Sequence, residues 1–157
     1  MSKVREPGMS LIVQTIARLS VGFILLFGIY ILMHGHLSPG GGFAGGVIVA
    51  LAFINIMLAY GKAAALRKVP KVVTAFFENL GALLLLSIAL MGFTGGYFFL
   101  NFIAKGEPYK LFSAGIIPLC NLAIALKVGT GVFAIFSALV LLRFEMKVED
   151  RKEDETP

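Results

Sequence analysis

Four side chains in this sequence have the chemistry to carry protons or ions, and all lie inside or at the edge of long apolar runs: His34, His36, Glu78 and Lys127. Imidazole titrates near pH 6.5, so the two histidines suit proton transfer. An ionisable group inside a membrane segment marks a substrate, ion or proton route by default. Each group also has a plainer reading. His34 and His36, spaced i, i+2, can cap a helix end through backbone carbonyls or bind a neighbouring subunit; no Cys, Asp or Glu lies beside them in sequence to complete a metal site. Glu78 lies seven residues after Lys71, about 10 Å into its helix. There it either serves a path or pairs with Arg18 or a loop lysine. Lys127 lies 16 residues before Arg143, about 24 Å from that end of its helix. Gly129-Thr130-Gly131 follows it and would open the helix, freeing carbonyls for an ion as in broken transporter helices. The alternative is a lysine snorkelling to the outer surface. Counting rise from the two loop ends puts Glu78 and Lys127 about 14 Å apart in depth. That predicts no direct pair, with Lys127 nearer the level of the histidines and Glu78 nearer Arg18.

The elements that must hold these groups are four apolar segments: Leu11 to Met33, Phe43 to Tyr60, Val72 to Phe99 and Leu119 to Leu142. About 20 apolar residues cross the hydrocarbon core as a helix. The chain of 157 residues is 58% hydrophobic and only 15% charged, with a mean hydropathy of +0.89. A soluble domain carries roughly a quarter charged residues, so the composition describes one integral membrane domain. The net charge of +5 is not a nucleic-acid signal, because the basic residues cluster at the ends and in one loop. Lys62, Arg67, Lys68 and Lys71 lie between the second and third segments with no acid among them. The positive-inside rule places that loop, and with it both termini, in the cytoplasm. The uncharged part of the first segment, Leu19 to Met33, is 15 residues, or roughly 22 Å. Either Arg18 snorkels at the inner interface, or the turn after Met33 dips below the outer surface. No cleavable signal peptide is evident. Cys120 is the single cysteine, which excludes an internal disulfide. Residues 1–144 form the expected transmembrane domain and 145–157 a charged cytoplasmic tail, frayed beyond Val148.

The turn from His34 to Gly46 holds Pro39 and the glycines Gly40, Gly41, Gly42, Gly45 and Gly46. Irregular backbone at membrane depth is tolerated only against protein or a water-filled cavity, so this turn is expected to face a larger assembly or a polar cavity. Its G-G-G-F-A-G formally fits a dinucleotide fingerprint. That fingerprint needs a preceding strand and an acid about 20 residues on, yet no acid occurs between Glu6 and Glu78. Gly41/Gly45, Gly42/Gly46 and Gly92/Gly96 match the small-xxx-small pattern of tight helix packing.

The turn M-H-G-H-L-S-P-G-G-G-F-A-G-G resembles the signature of the MnhB/MrpB family, one of the subunit types of multisubunit Na⁺/H⁺ antiporters. Ala114 to Gly131 is similar to that family's second characteristic stretch, with Pro118, Asn121, Lys127 and Gly129 at motif positions. The resemblance covers roughly Leu11 to Leu142. It implies a small accessory subunit, shared by such antiporters and by the antiporter-like modules of archaeal membrane-bound hydrogenases and related sulfane-sulfur-reductase complexes. Redox chemistry and the main ion half-channels then belong to other chains. The expectation is therefore an all-α integral membrane protein of the cell membrane, with four transmembrane helices and a Gly-rich turn between the first two. It is not an enzyme on its own, holds no cofactor or metal, and works beside other membrane subunits in the lipid bilayer. Na⁺ and H⁺ are the ions the whole complex moves. His34, His36, Glu78 and Lys127 are candidates for the path; the alternative is a structural scaffold with no residue on it. A self-sufficient channel is disfavoured, since four helices with so few intramembrane charges offer a poor pathway.

Overall fold

The computed structural model describes residues 9–37, 40–61, 70–103, 106 and 114–154, and the side chains of those up to 143 other than Lys71. Pro39 and the basic residues Lys62, Arg67 and Lys68 lie outside that set. Among the described residues there are four α-helices: α1 Leu11–Met33, α2 Gly41–Tyr60, α3 Lys71–Met91 and α4 Ile117–Asp154. Each contains a stretch long and apolar enough to cross a bilayer, with mean hydropathy between 1.9 and 2.2. Large apolar side chains cover the outside, among them Leu11, Leu19, Leu26 and Val72, which are 68–81% exposed. A surface of that kind is covered by lipid or other protein, and the chain is a multi-pass membrane protein.

The helices pack in the spatial order α1, α2, α4, α3, with α2 and α4 central. Two glycine registers offset by one residue give α2 two close faces. Gly41 and Gly45 meet Gly35, Leu32 and the carbonyl of Gly28 on antiparallel α1 and its turn. Gly42 and Gly46 meet the backbone of Asn121 and Ala125 on parallel α4. Without a Cβ the backbones approach closely, which is how helix pairs gain packing energy in lipid. Beyond the glycines the two central helices are held apart by larger groups. There Ile54, Met57 and Phe133 are buried, and Val132, Phe136 and Val140 pack on them. Gly81 of α3 seats on the carbonyl of Ala123 and the backbone of Lys127.

Two boundaries differ most from the sequence expectation. The third helix stops at Met91 rather than Phe99 and is followed by one 3-10 turn, Gly92–Gly95. Gly96 takes φ 99° and Phe99 φ 58°, and the chain folds back so that Phe99 N–H donates to the Ala89 carbonyl. Gly92 therefore packs on Phe99 and Leu100 of its own loop, and the Gly92/Gly96 pair makes a reversal rather than a helix contact. At the other end of the chain, α4 runs to Asp154 instead of fraying past Val148. No Gly or Pro occurs between Gly131 and Pro157, so nothing in the sequence stops the helix.

Asn101 joins the loop after α3 to the start of α4. Its Oδ1 accepts from the N–H groups of Ile103 and Ile116, both at 3.2 Å. Gly115 at φ 61° lies directly on that amide, where a Cβ would collide with it. Asn101→Ala strips two backbone donors of their acceptor and is expected to cost about 1–3 kcal/mol, seen as a lower thermal midpoint in detergent. An unchanged midpoint refutes the latch.

Candidate functional site

The histidine turn is built by the end of α1. The Nδ1–H of His34 donates to the Tyr30 carbonyl at 3.0 Å, and the same oxygen accepts the His34 backbone N–H at 3.1 Å. The His34 ring also lies 4.3 Å from the Tyr30 ring. The imidazole thus adds a second donor to a carbonyl of the last helical turn that the backbone N–H already engages. His36 is half-buried with its Nδ1 inside the protein. Asn121 reaches the same turn from α4, with its amide against Gly35 and Gly42. The Asn121 Nδ2 is buried and has no hydrogen-bond partner among the described residues. Gly40 holds φ 81° at the entrance to α2, a left-handed conformation that L side chains avoid. Among the described residues no three His, Cys, Asp or Glu side chains gather as metal ligands.

Glu78 and Lys127 form a direct pair, contrary to the expectation from depth. The Lys127 ammonium donates to Glu78 Oε1 at 3.4 Å. Depth counting failed because it set Lys71 level with Arg143. The Gly81 contact fixes the register instead: Lys71 is 10 residues from Gly81 and Arg143 is 16 from Lys127. The start of α3 is therefore offset from Arg143 by about 9 Å along the bundle. That offset lifts Glu78 to within one turn of Lys127, and the lysine side chain spans the rest. Neither Arg18 nor a snorkelling geometry is needed to explain the pair.

The Gly129-Thr130-Gly131 segment does not break α4, which is continuous through it. Thr130 Oγ1 donates to the Leu126 carbonyl at 2.7 Å and lies 3.2 Å from that of Lys127, so these carbonyls are engaged within the helix. Gly129 serves packing, because a Cβ there would lie 3.1 Å from the Gly46 carbonyl oxygen. Pro118 sits in the first turn of α4, where a missing N–H costs nothing.

On one side of the α3–α4 seam lies an apolar cleft of ≈ 380 Å³, lined by Phe53, Phe77, Leu122, Leu126 and Phe133 among others. Its two threonines bond their own helices: Thr74 to Pro70 and Thr130 to Leu126. The structure thus joins Asn121 to the histidine turn and Glu78 to Lys127, and keeps these two polar sites separate. Sequence reasoning passed over Gly28, Gly81 and Asn101. Gly81 follows Glu78 by three residues, so a lone glycine one turn from an intramembrane acid was the available signal.

Residues 12–134 match the family described as a domain related to the MnhB subunit of Na⁺/H⁺ antiporter. An uncharacterized protein of Methanocaldococcus jannaschii, MJ1307, is 37% identical over 142 residues, covering 83% of this chain and 53% of that protein. A Staphylococcus aureus protein named as the putative antiporter subunit mnhB2 is 41% identical over 59 residues, 38% of this chain and 42% of the other. A chain in the structure of the membrane-bound sulfane sulfur reductase, an archaeal respiratory membrane complex, superposes with a TM-score of 0.73 at 33% identity, covering 88% of this chain and 61% of that one. The chain spans about half the length of the curated relatives it matches. With the family match running from the first turn of α1 to the middle of α4, the chain belongs to the family of domains related to the MnhB subunit of Na⁺/H⁺ antiporters.

Proposed function

We propose that the chain is a non-catalytic accessory subunit of a multisubunit Na⁺/H⁺ antiporter, or of the antiporter-like module of a membrane-bound hydrogenase-type or sulfur-reducing respiratory complex. It sits in the cell membrane with both termini cytoplasmic. Residues 1–144 are its membrane domain and 145–157 its charged tail. It supports assembly and lends Glu78, Lys127, His34 and His36 to a hydrated route for cations and protons. The observation that carries this reading is the Glu78–Lys127 ion pair between two membrane helices, in a chain of a family named for an antiporter subunit. Charges are retained at such depth where an ion or proton route uses them. His34 and His36 add two imidazoles, a side chain suited to passing protons.

The test uses the complex purified natively and returned to sealed vesicles. His34→Ala with His36→Ala, Glu78→Ala and Lys127→Ala are expected to slow Na⁺-driven proton exchange at least about tenfold, the effect of one lost interaction of ~1.4 kcal/mol in the limiting step. If all three variants assemble and exchange ions at the unmodified rate, the scaffold role alone remains. Mass spectrometry of the same preparation identifies the host. Antiporter-type membrane subunits alone mean a stand-alone antiporter, whereas iron–sulfur and nickel-site subunits mean a redox complex.

A further inference from the structure

The two sides of the α3–α4 seam have opposite chemistry. Phe77 and Leu126 line the apolar cleft, and Glu78 and Lys127 are the next residues on each helix. One residue advances about 100° around an α-helix. Because α3 and α4 run antiparallel, these two rotations carry both charged side chains to the same side, away from the cleft. There the side chains of Lys127 and Glu78 remain 48% and 38% exposed. Lys127 lies 10 residues from the start of α4 and 16 from Arg143, about 15 and 24 Å by helical rise. Neither distance lets the pair reach bulk water easily.

Among the described residues, the Lys127 ammonium has one hydrogen-bond partner, Glu78, and that contact is long. An ammonium has three donors. Lipid tails accept no hydrogen bonds, so a charged surface at this depth is covered by protein or by a cavity that protein encloses. The described residues supply only one wall. Gly131, one turn from Lys127, has open space where a Cβ would stand, so the surface beside the ammonium is low and a partner backbone can come close.

We propose that this face, centred on Glu78 and Lys127 and flanked by Ala82, Ile124 and Gly131, is the docking surface for a transmembrane helix of another subunit. That helix presents oxygen acceptors, carbonyl, hydroxyl or carboxylate, to the Lys127 ammonium. The proposal rests on the reading of the chain as a member of a multisubunit complex, and it adds which face meets the partner and by what chemistry.

The experiment places a benzophenone amino acid at Ala82 or at Ile124, both half-buried, in the full chain within its native complex. The ion pair is intact in both variants. Illumination is expected to give, from both positions, an adduct whose mass is the sum of this chain and one other membrane subunit. Lys127→Met with Glu78→Leu is expected to weaken that adduct several-fold. Lipid adducts alone, or adducts of two copies of this chain, from a preparation in which the other subunits still co-purify overturn the docking face and leave the subunit reading standing. If no other membrane subunit co-purifies at all, the subunit reading falls and takes the proposal with it.

Discussion

Gly46→Leu is expected to prevent the chain from accumulating as a folded membrane subunit. A Cβ at Gly46 would stand 2.8 Å from the Ala125 carbonyl oxygen and 2.9 Å from the Ala125 Cα. Both are backbone atoms, so no rotamer change relieves the clash and α2 must move off α4. Gly46→Ala tests the same contact mildly, since overpacking by a single methyl-sized group costs typically ~1–3 kcal/mol. Leucine adds three more carbons at the place where the two central helices touch. The seam it would open also positions Gly42 on Asn121 and Gly129 on Gly46, so the damage extends to the histidine turn. The contrast is Gly131→Ala, where nothing lies within 4 Å of the new Cβ. That variant is expected to be neutral to within about 1 kcal/mol, the helix-propensity difference of the two residues. The amount of chain recovered from the membrane reads Gly46→Leu, and thermal unfolding of the detergent-purified protein reads the two alanine variants. Equal midpoints for Gly46→Ala and Gly131→Ala would mean that the α2–α4 seam is looser than these distances require.

Much of this architecture could be read from the residues. The four apolar runs locate the helices, and α1 begins and ends as expected, at Leu11 and Met33. The doubled small-xxx-small pattern at Gly41/Gly45 and Gly42/Gly46 foretells close packing, because its one-residue offset turns two faces of one helix toward two neighbours. Depth was not legible. Helical rise measures distance along one helix, but the relative level of two helices is set by a contact, here Gly81 on Ala123 and Lys127. A one-sided count therefore misplaced Glu78 against its partner. The Gly129-Thr130-Gly131 segment misled for a different reason. Glycine permits a break and permits close packing equally, and the pattern cannot say which until Gly46 is found opposite Gly129. Asn101 was hidden because its partners, the N–H groups of Ile103 and Ile116, are brought together by a fold-back that begins at Gly92.

The second large effect is expected at the ion pair, and its size reports the pair's surroundings. An exposed pair in water contributes about 0–1 kcal/mol, whereas a single lysine or carboxylate left uncompensated at the centre of a membrane helix costs about 2.5–3.5 kcal/mol. In the assembled complex, Lys127→Leu and Glu78→Leu are each expected to fall in the second range, because each leaves one charge at membrane depth without its counter-charge. The double variant removes both charges and is expected to regain most of the lost stability, so the coupling energy in the cycle approaches the sum of the two single losses, roughly 4–6 kcal/mol. Thermal unfolding of the complex measures that cycle. Single losses below about 1 kcal/mol would mean that water reaches the pair freely, and that no neighbouring protein covers it. Transport in the same double variant separates the two roles the pair can have. An apolar pair that restores stability and also restores Na⁺-driven proton exchange makes Glu78 and Lys127 a packing device of the α3–α4 seam. Restored stability with exchange still lost places their charges on the route, since an apolar pair can fill the seam and cannot pass an ion or a proton.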